Sequence, residues 1–560
     1  MNLQTPNSTQ GSKFSSHPLA SWFDRTVLDL GRQMRLSYLP PLMVYLSAGI
    51  SGLTAIVGTF FVKEYLGLSA EFLAALGFWA MLPWTLKMPL GHLVDLLWHH
   101  KARMIYFGAT LVALSLLIML GLLGNPAGMR ELLPMETWYV LSVLLAPVGY
   151  VIQDVVADAM TVEAVPRVDA GGRPLSEEQL NVAHTTMQTL GRVAIIGGTL
   201  LVALANVYLF GGVEVMSAAQ KAAVYLHIYQ LALVIPVVSV FGVLCAAWLR
   251  RREEHRLAAR GFEFDEIERL LARPVEELPE VNWWILGGGL GFVVFSLMLG
   301  LLAPPFNEEI VFAGSLGIVL FLIQRLTRNL EPDARRTLFG TAVIIFVFRA
   351  MPSAGAGSSW WMIDVLGFDQ QFMSQLSLVT SSLTLLGMFI FRRYMAEHGI
   401  DQIVVFLTFV LTILSLPNLA MYYGLHHWTS VMTGGVVDAR FIALIDTALE
   451  SPLGQVAMIP MLAWIAHSAP AQLKATFFAV MAAFTNLALS LSQLLTKYLN
   501  QVYSVTREAR DPVSGAITTP ADYSELGALF FAVLLIGLLA PLIAVHVIRG
   551  TLFRQQGAKD

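Results

Sequence analysis

Long apolar segments recur along almost the entire chain, and this feature constrains the fold more than any other. The segments hold about 20 to 25 residues each, the length that a helix needs to cross a hydrocarbon core of roughly 30 Å. Short polar or Gly/Pro-containing turns separate them. Only 13% of the residues are charged and 56% are hydrophobic, which leaves too little polar surface for a soluble chain of 560 residues. The sequence therefore predicts an all-α polytopic membrane protein.

The apolar segments form three groups along the chain. Counting by length gives about fourteen transmembrane helices, arranged as six, two and six. The predicted organisation is an N-terminal tail at 1–38, a six-helix bundle at 39–249, a linker at 250–282, an extra helix pair at 283–326, a second six-helix bundle at 327–548 and a C-terminal tail at 549–560. We interpret the hydrophilic linker as a solvated connector, with a partner site as the alternative. The extra pair has few polar residues, so we expect it to hold no buried charge and to lie at the periphery of the fold.

The Lys and Arg residues indicate how the chain is oriented. If the N-terminus is inside, 25 of the 35 lie in inner segments, seven in outer segments and three within spans. Cytoplasmic loops collect Lys and Arg. Both termini are therefore predicted to be cytoplasmic, and the protein is expected in the cytoplasmic (inner) membrane.

Two six-helix halves with a cytoplasmic connector are typical of transporters built from two repeats, whose substrate site lies between the halves near the bilayer midplane. The loop after the second span strengthens this interpretation, because Gly91, Asp95 and Arg103 resemble the G-x-x-x-D-basic loop of the major facilitator superfamily. We assign these residues and Glu163, at the inner end of the fourth span, to a cytoplasmic gate. The alternative is ordinary helix ends with positive-inside residues.

Four longer segments carry a more specific resemblance. They are 61–95 (FVKEYLGLSAEFLAALGFWAMLPWTLKMPLGHLVD), 151–165 (VIQDVVADAMTVEAV), 351–368 (MPSAGAGSSWWMIDVLGF) and 469–495 (APAQLKATFFAVMAAFTNLALSLSQLL). In this order and spacing they resemble the folate–biopterin transporter family of the major facilitator superfamily. The resemblance implies the major facilitator fold, two six-helix bundles with the central extra helix pair, and a folate- or pterin-like substrate.

Charged residues within the predicted spans are the candidate substrate-binding or coupling groups. A charge at a helix centre costs about 2.5–3.5 kcal/mol to insert, so intramembrane ions are usually paired and functional. Lys87, Asp154 and Arg192 fall at compatible depths, given a helical rise of about 1.5 Å per residue. Asp158 shares a helix face with Asp154 at i, i+4. We predict a cation–carboxylate cluster that lines the cavity, with a structural salt-bridge network as the alternative.

The second half repeats this pattern near mid-membrane. Arg349, Asp446 and Glu450 fall at similar depths by the same helical rise. The planar guanidinium of Arg349 would bind a substrate carboxylate. The alternative is a permanent ion pair between Arg349 and Glu450.

Aromatic and amide side chains complete the candidate site. Pro and Gly interrupt the span at 352–361, a break typical of backbone that lines a cavity. Trp360 and Trp361 would stack on a flat heteroaromatic ring, with interfacial tryptophans as the alternative. Asn486 lies on a later span, where a polar side chain either binds a ligand or joins helices.

The motifs of enzymes and ATP-driven pumps are absent from the sequence, which has neither a metal-ligand spacing nor a G-x-x-x-x-G-K-[ST] loop. We therefore predict a secondary active transporter without cofactors that moves a folate- or pterin-like or other aromatic anion by alternating access, in symport with protons. The alternatives are a permease for another solute, such as a drug, amphiphile or muropeptide, and a non-transporting membrane assembly or cofactor-delivery protein. We expect a monomer in the lipid bilayer that binds no nucleic acid.

Overall fold

The structure is a computed structural model that describes residues 29–32, 34–66, 68–165, 176–264, 266–267, 281–328, 331–454, 456, 474–510 and 517–556. After a single helical turn at Asp29–Arg32, the longer helices of the N-terminal part are α1 Leu39–Ile50, α2 Ala55–Tyr65, α3 Ala70–Met81, α4 Lys87–Leu96, α5 Lys101–Gly124, α6 Pro126–Leu132, α7 Met135–Ala164, α8 Glu177–Leu209, α9 Ala218–Ala232 and α10 Val234–Ala258. The prediction of an all-α polytopic protein is confirmed.

The C-terminal part continues the same architecture. Its helices are α11 Trp283–Leu302, α12 Asn307–Leu326, α13 Pro332–Arg349, α14 Ala356–Asp364, α15 Gln370–Ile390, α16 Arg392–Glu397, α17 Ile400–Tyr422, α18 Leu425–Met432, α19 Ala439–Glu450, α20 Lys474–Val502 and α21 Leu526–Gln556. Two short strands, β1 Ala509–Arg510 and β2 Ile517–Thr519, pair antiparallel between α20 and α21.

Ten helical segments in the described part of the chain are long and apolar enough to cross a membrane. The number of about fourteen spans stays a prediction. The second predicted span is broken, because a 3₁₀ turn at Leu82–Leu86 that contains Pro83 separates α3 from α4. The ninth is broken between α13 and α14, where Gly355 has a φ of 73° that other residues rarely adopt. Residues 455 and 457–473, where the twelfth and thirteenth predicted spans meet, lie outside the described residues.

Two seams join the N-terminal half, α1–α10, to the C-terminal half, α13–α21. Helix α3 packs along α20 in the first seam, and α8 packs along α15 in the second. In the first seam, Gly77 leaves room for Gln493, because a Cβ on Gly77 would lie 2.6 Å from the Gln493 Oε1. The halves therefore meet through close helix packing.

The extra helix pair, α11 and α12, lies against the α3–α20 seam. Helix α11 contacts α4, where Gly289 lies against Pro89, and α12 runs along α20. Glu308 and Glu309 begin α12, and each lies 3.5 Å from the Nζ of Lys497 on α20. Glu308 is only 9% exposed, so the expectation that this pair holds no buried charge is wrong. The two acids stand at a predicted helix end, and their partner is distant in sequence.

Helices α1 and α8 cross very closely at a pair of glycines. A Cβ on Gly198 would lie 2.8 Å from the Cα of Gly49, a backbone atom that no side-chain movement can displace. A Cβ on the neighbouring Gly197 would meet nothing within 4 Å. The crossing therefore requires glycine at position 198 and not at position 197.

We expect Gly198→Ala to destabilise the purified protein by about 1–3 kcal/mol, as overpacking does in other cores. Gly197→Ala is the matched control on the same helix and should be neutral or stabilising, because Ala favours a helix over Gly by up to about 1 kcal/mol. Thermal unfolding in detergent measures both variants. Equal midpoints for the two would contradict the close crossing.

Candidate functional site

A cation and two carboxylates within the membrane region form the centre of the candidate site. Lys87 begins α4 directly after the break in the second span, and its Nζ lies 2.6 Å from Asp154 Oδ2 and 2.9 Å from Asp158 Oδ2. The two aspartates are one turn apart on α7, so both face the same neighbour. The hydroxyl of Tyr45 on α1 donates to Asp158 Oδ1 at 2.6 Å. The structure thus brings together three residues that the sequence predicted to cluster.

Two arginines from different halves lie near this cluster. Arg192 on α8 attracts the carboxylate of Asp154 and repels the guanidinium of Arg349 at the end of α13. Both arginines are half-buried. Within the described part of the chain no ion pair joins Arg349 to Glu450. The structure therefore places Arg349 within electrostatic range of Arg192 in the other half.

A cavity of about 470 Å³ lies between the halves, in the outer part of the membrane region. Helices α2, α3, α5, α7 and α9, with the 3₁₀ turn Ser51–Thr54, form most of its wall, and α14 of the other half contributes the rest. Four aromatic rings and six aliphatic hydroxyls line it; these are Tyr139, Tyr150, Tyr229 and Trp360, and Ser51, Thr54, Thr59, Ser115, Ser142 and Ser359. Sites for small molecules typically have volumes of about 300–1,000 Å³. The cavity is therefore large enough for one small organic solute.

A narrow gap of about 10 Å³ lies between this cavity and the charge cluster, with room for about one water. Tyr45, Ser47, Gln153 and Asp154 line the gap, and Tyr150 lines both the gap and the cavity. Asp154 and the cavity-lining Tyr150 therefore border the same water-sized gap.

The two predicted tryptophans occupy different environments. Trp360 lines the cavity and is 2% exposed. Trp361 packs in an apolar core, with its ring centre 5.9 Å from that of Tyr422 and 6.0 Å from that of Phe530. Asn486 donates from Nδ2 to the carbonyl of Trp84 across the α3–α20 seam at 3.4 Å. Of these three residues, the structure places only Trp360 in the cavity wall.

The carboxylates of α19 lie apart from this cluster. Asp446 is buried, and its Oδ2 accepts from Asn418 Nδ2 at 2.9 Å. Its other oxygen, Oδ1, has no hydrogen-bond partner among the described residues. Glu450 lies one turn further along and is exposed in the isolated chain. No described ion pair joins Asp446 or Glu450 to Lys87.

Ion pairs join the two halves at the outer end. The Nζ of Lys63, at the end of α2, lies 2.5 Å from Asp364 Oδ1, at the end of α14. Arg440 on α19 lies 3.1 Å from Glu214 of the N-terminal half and 3.0 Å from Asp369 of its own half. These contacts hold the halves together above the cavity.

Two residues between α20 and α21 support this outer contact. Tyr523 donates to Asp364 Oδ2 at 2.6 Å. Burial, together with this hydrogen bond, raises the pKa of Tyr523, so its hydroxyl stays protonated and continues to donate. Arg507 donates to the carbonyl of Lys63 and lies 5.7 Å from the ring centre of Trp360. Trp360 thus separates the cavity from the outer network.

A match to a protein-family model covers both halves of the chain. The model, described as the BT1 family, matches residues 48–556. The chain belongs to the BT1 family. A folate-biopterin transporter from Synechocystis sp. (strain ATCC 27184 / PCC 6803 / Kazusa) is 23% identical over 494 residues, which cover 86% of this chain and 79% of that protein. The family predicted from the sequence is confirmed.

Solved structures show which fold this BT1-family chain adopts. A peptide transporter POT has a TM-score of 0.57 and 15% identity, over 93% of this chain and 95% of that chain. The nucleoside transporter NupG has a TM-score of 0.51 and 11% identity, over 92% of this chain and 100% of that chain. At such identities the likeness concerns the fold alone. The predicted major facilitator fold is confirmed.

The inner end of the BT1-family chain holds the four residues that the sequence assigned to a gate. A Cβ on Gly91 would meet Val155 Cγ1 at 3.9 Å, an ordinary contact, so packing there does not require glycine. Asp95 lies near the end of α4, and Arg103 is exposed in the first turn of α5. Glu163 accepts from Lys101 Nζ at 2.6 Å, so this pair joins α7 to α5 within one half. The gating role of these residues stays a prediction.

Sequence reasoning missed most of the cavity wall of this BT1-family member. Tyr139, Ser142, Ala146 and Tyr150 all line the cavity from α7 at helical spacing. A stripe of hydroxyl-bearing residues on one face of an apolar helix was the available signal. The sequence prediction instead selected the charged residues in the inner part of the same helix.

Proposed function

We propose that the chain is a secondary active transporter, not an enzyme, that moves a small folate- or pterin-like solute across the cytoplasmic membrane by alternating access. The observation that carries this proposal is the cavity of about 470 Å³ between the halves, with its aromatic and hydroxyl-bearing wall. Aromatic rings provide stacking faces and hydroxyls provide donors and acceptors for a heterocycle. The Synechocystis relative is named a folate-biopterin transporter, which supports this solute class.

The outer ion pairs support alternating access. Lys63–Asp364 and Arg440–Glu214 join the two halves on the outer side of the cavity. A solute that enters from outside requires these contacts to separate, and repacking of interface salt bridges is a common element of such transitions. The two seams, α3–α20 and α8–α15, are the surfaces along which the halves would move.

We assign proton coupling to Asp154. This residue shares Lys87 with Asp158, and it borders the cavity through the water-sized gap. Two carboxylates one turn apart repel each other, and a proton on one of them relieves this repulsion. Protonation of Asp154 would weaken its pair with Lys87 and so change the contact between α4 and α7. Glu450 remains a second candidate, because it lies one turn from the buried Asp446.

We expect Asp154→Asn and Glu450→Gln to abolish pH-driven solute accumulation in proteoliposomes, while at least one of them spares solute exchange at equal pH. The amide keeps the shape of each side chain and removes the proton-binding site. Asp401→Asn is the control, because Asp401 pairs with Arg549 near the inner end of α17. Unchanged pH-driven uptake in both variants would eliminate these residues as proton carriers.

Counterflow of labelled biopterin or folate in proteoliposomes tests the solute class directly. Flux of a drug, amphiphile or muropeptide that pterins and folates do not inhibit would assign another solute to the same transporter. A folded protein that exchanges none of these compounds and co-purifies with a partner would support the assembly function instead.

A further inference from the structure

Among the residues that the structure describes, the wall of the cavity contains no side chain that is charged near neutral pH. None of its 22 lining residues is Asp, Glu, Lys, Arg or His. A carboxylate transferred into such surroundings loses its hydration and gains no cation in exchange, which is strongly unfavourable in a low-dielectric interior. The cavity therefore disfavours a charged solute group, although it lies close to a cluster of charges.

Cations near the cavity are already engaged by the protein. Lys87 contacts two carboxylates, at 2.6 Å and 2.9 Å. Lys63 contacts Asp364 at 2.5 Å. Arg507 donates to the carbonyl of Lys63 and lies over the Trp360 ring. A solute carboxylate would have to displace one of these partners.

The gap toward the inner side restricts the solute in a second way. Its volume of about 10 Å³ admits about one water and not a flexible chain. Asp154 stands at the far side of this gap and would repel an anionic tail. A solute whose ring occupies the cavity therefore cannot extend a carboxylated tail through the gap toward Arg192 or Arg349.

We infer that the cavity selects an uncharged planar heteroaromatic solute with a neutral, hydroxylated side chain and rejects relatives that carry carboxylates. This inference rests on the proposed function. It replaces the aromatic anion predicted from the sequence with a neutral aromatic compound. The rings of Tyr139, Tyr150, Tyr229 and Trp360 provide apolar faces, and the hydroxyls of the wall bind the ring edge and the side chain.

A series of pterins with increasing charge tests this selection by equilibrium binding of labelled ligand to the purified full-length protein. Biopterin has a neutral dihydroxypropyl side chain, pteroate adds one carboxylate, and folate carries two. We expect biopterin to bind at least about 100-fold more tightly than folate, with pteroate closer to folate, because each buried unpaired charge is strongly penalised. Equal or tighter binding of folate would overturn the inference and leave the proposed function standing. Failure of all three to bind would count against both the inference and the proposed solute class, and counterflow with other solutes would then show whether transport itself remains.

Two adjacent tryptophans provide a matched pair of variants. Trp360→Leu removes a ring from the cavity wall and should weaken biopterin binding by about tenfold or more, since stacking of a heterocycle on an aromatic residue commonly contributes that much. Trp361→Leu removes a ring from the same helix but from the apolar core with Tyr422, so it should lower the thermal stability and leave the dissociation constant within about threefold. Equal effects of the two variants on binding would contradict the assignment of the site.

A gain-of-function variant tests the charge argument independently of any loss of folding. Ser142→Arg would place a cation in the cavity wall, so we expect it to reduce the preference for biopterin over folate by at least about tenfold. Thermal unfolding verifies that the variant is folded. An unchanged preference in a folded variant would show that charge does not determine selection at this site.

Discussion

Replacing Lys87 with methionine should abolish transport and destabilise the protein by about 3–5 kcal/mol, the cost of removing one partner from a buried ion pair. The Nζ of Lys87 lies within 3 Å of both Asp154 and Asp158, whose side chains are 16% and 40% exposed. Without the cation, two carboxylates one turn apart would face each other in the membrane region. Thermal unfolding and solute counterflow in proteoliposomes measure the two effects.

Two control variants distinguish the effect of unbalanced charge on stability and transport from the effect of losing a side chain. Arg250→Met removes an exposed pair with Glu254 outside the membrane region and should change stability by no more than about 0.5 kcal/mol. The triple variant Lys87→Met with Asp154→Asn and Asp158→Asn removes the imbalance, so it should regain most of the stability without regaining pH-driven transport. A Lys87→Met protein with normal stability and normal uptake would show that this cluster is dispensable.

A reversible cross-link between Lys63→Cys and Asp364→Cys should stop transport almost completely. These positions join α2 of one half to α14 of the other at the outer end, with 2.5 Å between the native Nζ and Oδ1 atoms. If the halves separate there during each cycle, a bifunctional thiol reagent with a cleavable disulfide will hold the outer side closed. Cys245 is the one cysteine of the chain, so Cys245→Ser provides a background without other thiols.

The control cross-link joins Asp401→Cys to Arg549→Cys, a native ion pair of 2.5 Å that lies within the C-terminal half. Because this pair belongs to a single half, its cross-link should leave most of the activity. Reduction of the reagent should restore transport in the Lys63–Asp364 variant. Full activity of the cross-linked Lys63–Asp364 variant would contradict movement of the halves at the outer end.

The charge cluster could be predicted from the sequence because charged residues are rare within transmembrane segments. Lys87 and Asp154 stand out in apolar segments, and the i, i+4 spacing of Asp154 and Asp158 fixes their common face. The position of Arg349 was harder to predict, since helical depth does not determine which neighbour a side chain faces. The structure places Arg349 near Arg192 of the other half rather than in an ion pair with Glu450.

Uncharged parts of the site and contacts between distant helices could not be predicted in the same way. Tyr139 and Ser142 resemble many other polar residues in membrane helices, and only the packing of several helices makes them neighbours of Trp360. The buried acid Glu308 was missed for a similar reason. It stands at a predicted helix end, and its partner Lys497 is 189 residues away in the chain.

The position of α11 and α12 also determines how a membrane-dissolved compound could reach the cavity. Both helices cover the lipid side of the seam where α3 meets α20, with apolar contacts to α4 and ion pairs to α20. We therefore expect α11 and α12 to obstruct the lateral entry of an amphiphile from the bilayer at this seam. Of the two seams described, only the one between α8 and α15 would then allow lateral entry. A water-soluble solute arriving along the membrane normal is unaffected by this obstruction. We therefore expect the helix pair to favour solutes that partition into water over those that partition into the bilayer.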